Sequence, residues 1–240
     1  MVERRAGLVI WDVDGTLIPA DLRWLRRAVA RTYGLQEEDV LFPSKRVHGY
    51  TDESIVVDTA IASGLSAEAA EDGVQRFHIV LADVMREGEQ ELARDQPAYP
   101  GAAESLEALQ SRGYIQTVLT GNLRPAAQMK LEVAGLAQWV DWNIGAYGSD
   151  ARDRFDLPAV VGQRFADRYG GELDPDRTVI IGDAPNDIAC ARRARFRVVA
   201  VAHRIGRDEL AQYCPDAIVD TLAPGSVMAA VNSVVGADGH

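Results

Sequence analysis

The chain has little cysteine and almost no lysine. Cys190 and Cys214 are the only cysteines in 240 residues, and neither belongs to a Cys-x-x-Cys pair or stands beside a histidine cluster. Neither a disulfide framework nor a zinc site is indicated, and a reducing compartment fits this usage. Lys45 and Lys130 are the only lysines, and acidic residues outnumber basic ones 36 to 25, a net charge of −11. That balance offers no electrostatic footprint for nucleic acid or an anionic membrane, so neither is expected as a partner. Long apolar runs are missing too. The run before Asp12 is a few residues long, well short of a signal-peptide core or the roughly 20 residues of a membrane span, and a cytoplasmic protein is expected. There is no internal repeat and no low-complexity tract. Hydrophobic residues at 47% and charged residues at 25% are ordinary for a globular protein, so the chain should fold, as one large domain or two small ones.

What is present is alternation. Short apolar runs at residues 6–13, 113–119, 140–144, 177–181, 197–202 and 217–219 read as strands, and helical patterns separate most of them. This rhythm predicts an α/β fold with a mostly parallel sheet and helices on both faces. One stretch breaks it. Between about residues 19 and 96 there are amphipathic helical patterns and no convincing strand, which reads as an all-α insertion after the first strand. Gln96-Pro97-Ala98-Tyr99-Pro100-Gly101 is the hinge where the chain returns to the sheet.

Three strand ends carry polar groups. Asp12 and Asp14 flank Val13, and the two-residue period of a strand points both carboxylates the same way. Like charges this close call for a cation or a shared proton, and a hard oxygen-seeking ion such as Mg²⁺ is the common remedy. Gly15 lets the backbone turn sharply after the pair, and Thr16 offers a hydroxyl. Taken alone, this segment could also be a simple turn. Gly182-Asp183-Ala184-Pro185-Asn186-Asp187 again runs from a strand into acids, with Asp187 one helical turn beyond Asp183. Helix capping would account for one of these acids comfortably, but not for two plus the first pair. Val118-Leu119-Thr120-Gly121-Asn122 ends a third strand in a hydroxyl, a glycine and an amide, a setting in which backbone N–H groups can cradle an anion. In an open parallel sheet, ligands bind beyond the carboxyl ends of the strands, where all three segments deposit these residues.

Together the segments resemble the haloacid dehalogenase-like hydrolase superfamily. Asp12-Val13-Asp14-Gly15-Thr16-Leu17 is similar to its first motif, DxDGT(L/V), Val118-Leu119-Thr120 to its second, and Gly182-Asp183 through Asp187 to its fourth, GDxxxD. The resemblance spans essentially the whole chain. It implies a Rossmann-like core of residues 1–18 and 97–240, with residues 19–96 as a helical cap like that of the phosphoglycolate phosphatase-like branch. It also implies that the fourth-motif strand lies beside the first, bringing Asp183 to Asp12. Carried over, it makes Asp12 the nucleophile that becomes an aspartyl phosphate and Asp14 the general acid and base. Mg²⁺ would take Asp12, the backbone carbonyl of Asp14 and Asp183, with Asp187 reaching it directly or through water. Thr120 and the N–H groups of Gly121 and Asn122 would hold phosphoryl oxygens, with Gly15 and Thr16 beside them. An acid at position 14 argues against a carbon–halogen substrate.

The third motif departs from the commoner pattern, in which a lysine stands in a Lys-Pro pair. The corresponding region, residues 148–158, has no lysine. Lys130, on the helix after Thr120, is the expected cation, with Arg154 as the alternative. In the family the cap selects the substrate, and Arg46 or His48, in the polar segment ending Gly49-Tyr50-Thr51-Asp52, would meet the leaving group. The expected activity is Mg²⁺-dependent hydrolysis of a small phosphorylated metabolite, phosphoglycolate-like or a sugar phosphate, by a monomer or homodimer. The rivals are a phosphomutase of the same fold and a catalytically silent binding module.

Overall fold

The computed structural model describes residues 6–43 and 50–236. Its elements run β1 (Gly7–Trp11), α1 (Arg23–Tyr33), α2 (Asp52–Ala62), α3 (Ala67–Asp72), α4 (Val74–Glu87), α5 (Glu89–Asp95), α6 (Ala102–Ser111), β2 (Tyr114–Val118), α7 (Arg124–Val133), α8 (Leu157–Tyr169), β3 (Thr178–Gly182), α9 (Pro185–Ala194), β4 (Arg197–Val201), α10 (Arg207–Ala211), β5 (Ala217–Val219) and α11 (Pro224–Val235). The five strands form one parallel sheet in the order β2-β1-β3-β4-β5. Helices α1 to α6 all lie between β1 and β2 in the chain. No helix among the described residues is long and apolar enough to cross a membrane.

The two-residue period of the strands sorts their side chains between two cores. Val9, Trp11, Val179, Ile181, Val199 and Val201 face the layer that holds α6 and α11. Leu8, Ile10, Ile180, Val198 and Ala200 face the layer that holds α8 and α9. Both faces are therefore dry, which is why these strands read as nearly continuous apolar runs. A third core belongs to the inserted helices. Trp24, Ala28 and Val29 of α1 pack against Val56 and Ala60 of α2 and Phe77 and Leu81 of α4, and Leu123 and Ala126 at the start of α7 join them. Helix α7 thus touches both the insertion and the sheet layer, where its Leu131 is buried.

One expected strand does not form. Residues 140–144 are a turn, and the chain meets β2 only at isolated points: Asp141 donates its N–H to the Gln116 carbonyl at 2.8 Å, and Ala146 makes a single bridge to Leu119. The cause is Asp141. One carboxylate oxygen accepts the Asn143 N–H at 3.1 Å, and the other accepts from Arg168 at 2.7 Å and Tyr169 at 2.6 Å. This side-chain competition for the backbone holds a turn where the apolar pattern alone suggests extension.

Candidate active site

Strand β1 delivers Asp12 to the carboxyl edge of the sheet, and its N–H donates to the Ile181 carbonyl of the neighbouring β3 at 2.9 Å. The chain then folds back tightly, with the Gly15 N–H donating to the Ile18 carbonyl at 2.7 Å. Gly15 has φ +93°, and a Cβ there would lie 2.6 Å from both carboxylate oxygens of Asp183. Backbone conformation and the neighbouring acid both demand glycine. The Thr16 hydroxyl lies between two acids, 3.3 Å from Asp12 Oδ2 and 3.1 Å from Asp183 Oδ1.

Asp183 ends β3, and Asp187 sits in the first turn of α9, where its Oδ2 accepts the Ala184 N–H at 3.0 Å. Asp12, Asp183 and Asp187 each bring a carboxylate oxygen within 4.8 Å of the others, and all three are buried. Burial first, then the nearby Asp187, pushes the Asp12 carboxyl up to about 7, against the opposing pull of Arg154. Burial and then Asp12 push Asp183 up to about 6, and burial raises Asp187 as well. Three buried carboxylates whose burial and mutual repulsion oppose ionisation form a donor set that suits a hard divalent cation. The Asp14 side chain stands outside this cluster.

Both cations proposed from sequence are present, on different acids. Arg154 is buried, and its Nη2 donates to Asp12 Oδ1 at 2.8 Å and to Asp187 Oδ1 at 2.7 Å. Burial opposes its charge, but Asp187 and Asp12 outweigh that and keep the guanidinium protonated. Lys130 is also buried. Its Nζ donates to Asp14 Oδ1 at 2.8 Å, Asp14 Oδ2 at 2.7 Å and Asn122 Oδ1 at 2.7 Å. A third cation escaped the sequence reading: Arg204, on the loop after β4, donates Nε to Asp183 Oδ2 at 2.6 Å. Its only signal was position, just past a parallel strand beside β3. Cys190 plays no part as a nucleophile, since burial pushes its thiol up to about 12.

The loop after β2 completes the floor. Thr120 Oγ1 accepts from Asn122 Nδ2 at 2.7 Å and from the Asn122 N–H at 3.2 Å, and Asn122 Nδ2 also donates to Asp14 Oδ2 at 2.6 Å. The Asn122 N–H, expected to face a phosphoryl oxygen, is therefore engaged with Thr120 in this arrangement. Gly121 packs so closely under the inserted segment that a Cβ would run into the Tyr50 carbonyl. Its own carbonyl accepts the Asp52 N–H at 2.7 Å, and Asp52 Oδ2 accepts the Leu123 N–H at 2.9 Å. Asp52, named in sequence only as part of the cap segment, is thus a buried link between insertion and floor. Arg46 and His48 lie outside the described residues. Between floor and inserted helices is a cleft of about 690 Å³, its open mouth included.

Comparison with known proteins agrees with this geometry. The family model of haloacid dehalogenase-like hydrolases matches residues 9–192. A phosphoglycolate phosphatase of Rhodospirillum rubrum is 30% identical over 221 residues, covering 90% of this chain and 87% of its own. The probable phosphatase IndB of Dickeya dadantii is 27% identical over 233 residues, covering 90% of each. Among solved structures, CbbY from Rhodobacter sphaeroides in complex with phosphate superposes with a TM-score of 0.65 at 18% identity, covering 95% of this chain and 99% of that one, and so shares the fold. The family match runs continuously from β1 through the Thr120 loop to α9, and the chain belongs to the haloacid dehalogenase-like hydrolase family.

Proposed function

We propose that the protein is a Mg²⁺-dependent phosphatase that cleaves the phosphomonoester of a small metabolite through an aspartyl phosphate on Asp12. The observation that carries this reading is the convergence of three buried carboxylates from the ends of β1 and β3 and the first turn of α9 within 4.8 Å, two of them held by the Arg154 guanidinium. Relatives named phosphatases support it. Residues 1–18 and 97–240 would form the catalytic core, and residues 19–96 the cap above it.

Asp12, Asp183, Asp187 and the backbone carbonyl of Asp14 would hold Mg²⁺, which supplies the positive charge that lets a carboxylate meet a phosphate dianion. The chain's own residues do the rest. Asp12 attacks phosphorus, and the bond to the ester oxygen breaks as the Asp12–phosphorus bond forms. Arg154 favours the ionised form of Asp12 and fixes its orientation. Asp14 gives a proton to the departing alkoxide, and Lys130, bonded to both its oxygens, stabilises the carboxylate left behind. Asp14 then accepts a proton from a water that attacks phosphorus, releasing phosphate and restoring Asp12. The Thr120 hydroxyl and the Gly121 N–H hold phosphoryl oxygens where charge develops. Arg154 thus fills the third-motif role, while Lys130 serves Asp14.

The test is release of inorganic phosphate from p-nitrophenyl phosphate, phosphoglycolate and sugar phosphates, with and without Mg²⁺. Release should require the metal. Asp12→Asn, which keeps the size of the side chain, should abolish it with the circular dichroism spectrum unchanged. Wild-type turnover in that variant would remove Asp12 as nucleophile, and isomerisation of a sugar phosphate without phosphate release would favour a mutase.

A further inference from the structure

The three cations of the cleft floor are not held alike. Arg154 and Lys130 are walled in, with 4% and 6% of their side chains exposed, and each bonds more than one neighbour. Arg204 lines the same cleft with 25% of its side chain exposed, yet its Nε donates at 2.6 Å to Oδ2 of Asp183, whose side chain is 1% exposed. Its neighbours set it there. His203 Nδ1 lies 3.3 Å from the Gly15 carbonyl oxygen, and the His203 ring packs against Tyr99 with ring centroids 4.2 Å apart. Tyr99 in turn donates its N–H to the Leu17 carbonyl at 2.9 Å. The loop after β4 is therefore tied to the turn after β1, and Arg204 reaches Asp183 from a fixed base. The other oxygen of that acid, Oδ1, lies 3.1 Å from the Thr16 hydroxyl, and the same carboxylate is one of the three that converge. A divalent ion on Asp183 would meet the guanidinium across a single carboxylate, and repulsion at that range is worth on the order of tenfold in affinity even at the dielectric constant of water.

We infer that Arg204 is a built-in competitor of the divalent ion: its guanidinium and Mg²⁺ take the Asp183 carboxylate in turn, so the arginine lowers the affinity of the site for Mg²⁺ and keeps this buried acid paired between occupancies. This rests on the metal site of the phosphatase reading and deepens it. A buried carboxylate stripped of its partner is costly, which is what the pairing prevents. Because a quarter of the Arg204 side chain is exposed, water can take over its guanidinium when the ion arrives, an exchange that burial denies to Arg154 and Lys130.

The experiment measures Mg²⁺ binding itself, by titration calorimetry on the whole protein at one mildly alkaline pH. Arg204→Gln removes the charge but keeps a polar side chain, and it should bind Mg²⁺ at least about threefold tighter than the wild type. Arg204→Lys keeps the charge and should bind within about twofold of the wild type. Weaker or unchanged binding in Arg204→Gln, or equal tightening in both variants, would overturn the inference. A second measurement reads the competition in the wild-type protein. The Nε–H resonance of Arg204, identified by its absence from Arg204→Lys, should exchange faster with water once MgCl₂ is added. An Nε–H that stays protected at saturating MgCl₂ would overturn the inference whatever the affinities of the variants. The expected order of affinities without phosphate release from p-nitrophenyl phosphate or the metabolite esters would leave this inference standing and remove the phosphatase reading. Phosphate release with weakened Mg²⁺ binding in Arg204→Gln would do the reverse, and no Mg²⁺ binding by the wild type would overturn both.

Discussion

An ammonium group has three donors, and Lys130 spends them on both oxygens of Asp14 and on Asn122 Oδ1. Arg154 makes both of its carboxylate bonds through one nitrogen, Nη2, to acids from different elements. In the sequence the two are alternatives because the motif pattern calls for a single cation. The structure contains two separate demands, the Asp12–Asp187 pair and Asp14, and the lysine-poor composition could not show that an arginine meets the first. Removing either cation should therefore do different damage. Arg154→Ala leaves two buried carboxylates facing each other and should cost about 3–5 kcal/mol of stability in urea unfolding, together with nearly all activity. Because both bonds run through a single nitrogen, Arg154→Lys should recover more activity than Arg154→Ala. Lys130→Met should keep Asp12 reactive but impair proton transfer, lowering kcat by roughly 100-fold or more and reshaping the pH–rate profile. Equal activity in Arg154→Ala and the wild type, or an unchanged profile in Lys130→Met, would reverse these assignments.

At the scale of elements, five of the six expected strands formed because their apolar runs are buried on both faces. The sixth, at residues 140–144, failed because Asp141 bonds its own turn and α8, a tertiary contact that periodicity does not report. The same blindness hid Asp52, which opens α2 yet is buried against the start of α7. Burial pushes its carboxyl from the usual 3.8 up to about 7, although Lys130 and the Leu123 N–H pull the other way. The folded state thus favours the protonated acid. That contribution is complete below about pH 4 and is lost as pH rises through about 7. Asp52→Asn keeps an acceptor for the Leu123 N–H without the ionisation. It should be more stable than the wild type by on the order of 2 to 4 kcal/mol at about pH 8, the difference shrinking toward about pH 5. Urea titrations at the two pH values measure this. A constant difference, or a variant less stable at the higher pH, would mean that the Asp52 carboxylate is better solvated than its burial implies.

For the whole molecule, the strand order decides where the chemistry sits. The chain leaves β1 toward β2 on one side and later enters β3 on the other, so the loops after β1 and β3 part at this reversal, the place where ligands bind in open parallel sheets. Alternating runs made the parallel sheet readable. The order did not lie in any periodicity, and the nearness of Asp183 to Asp12 rested on motif resemblance alone. Composition concealed the charge balance as well. Lys130, Arg154 and Arg204 meet the four carboxylates of Asp12, Asp14, Asp183 and Asp187, so these seven side chains carry one net negative charge when all are ionised. A divalent ion binding there should raise the melting temperature through its affinity for the folded state. Asp12 and Asp183, raised to about 7 and about 6, favour folding when protonated and lose that contribution as pH rises through those values. The ion binds the ionised forms and must displace protons below that window, so its stabilisation should grow as the acids ionise. The rise in melting temperature on adding MgCl₂ should therefore be clearly larger at about pH 8 than at about pH 5.5, and Asp183→Asn should lose most of it. Equal rises at both pH values, or a full rise in Asp183→Asn, would place the ion somewhere other than among these acids.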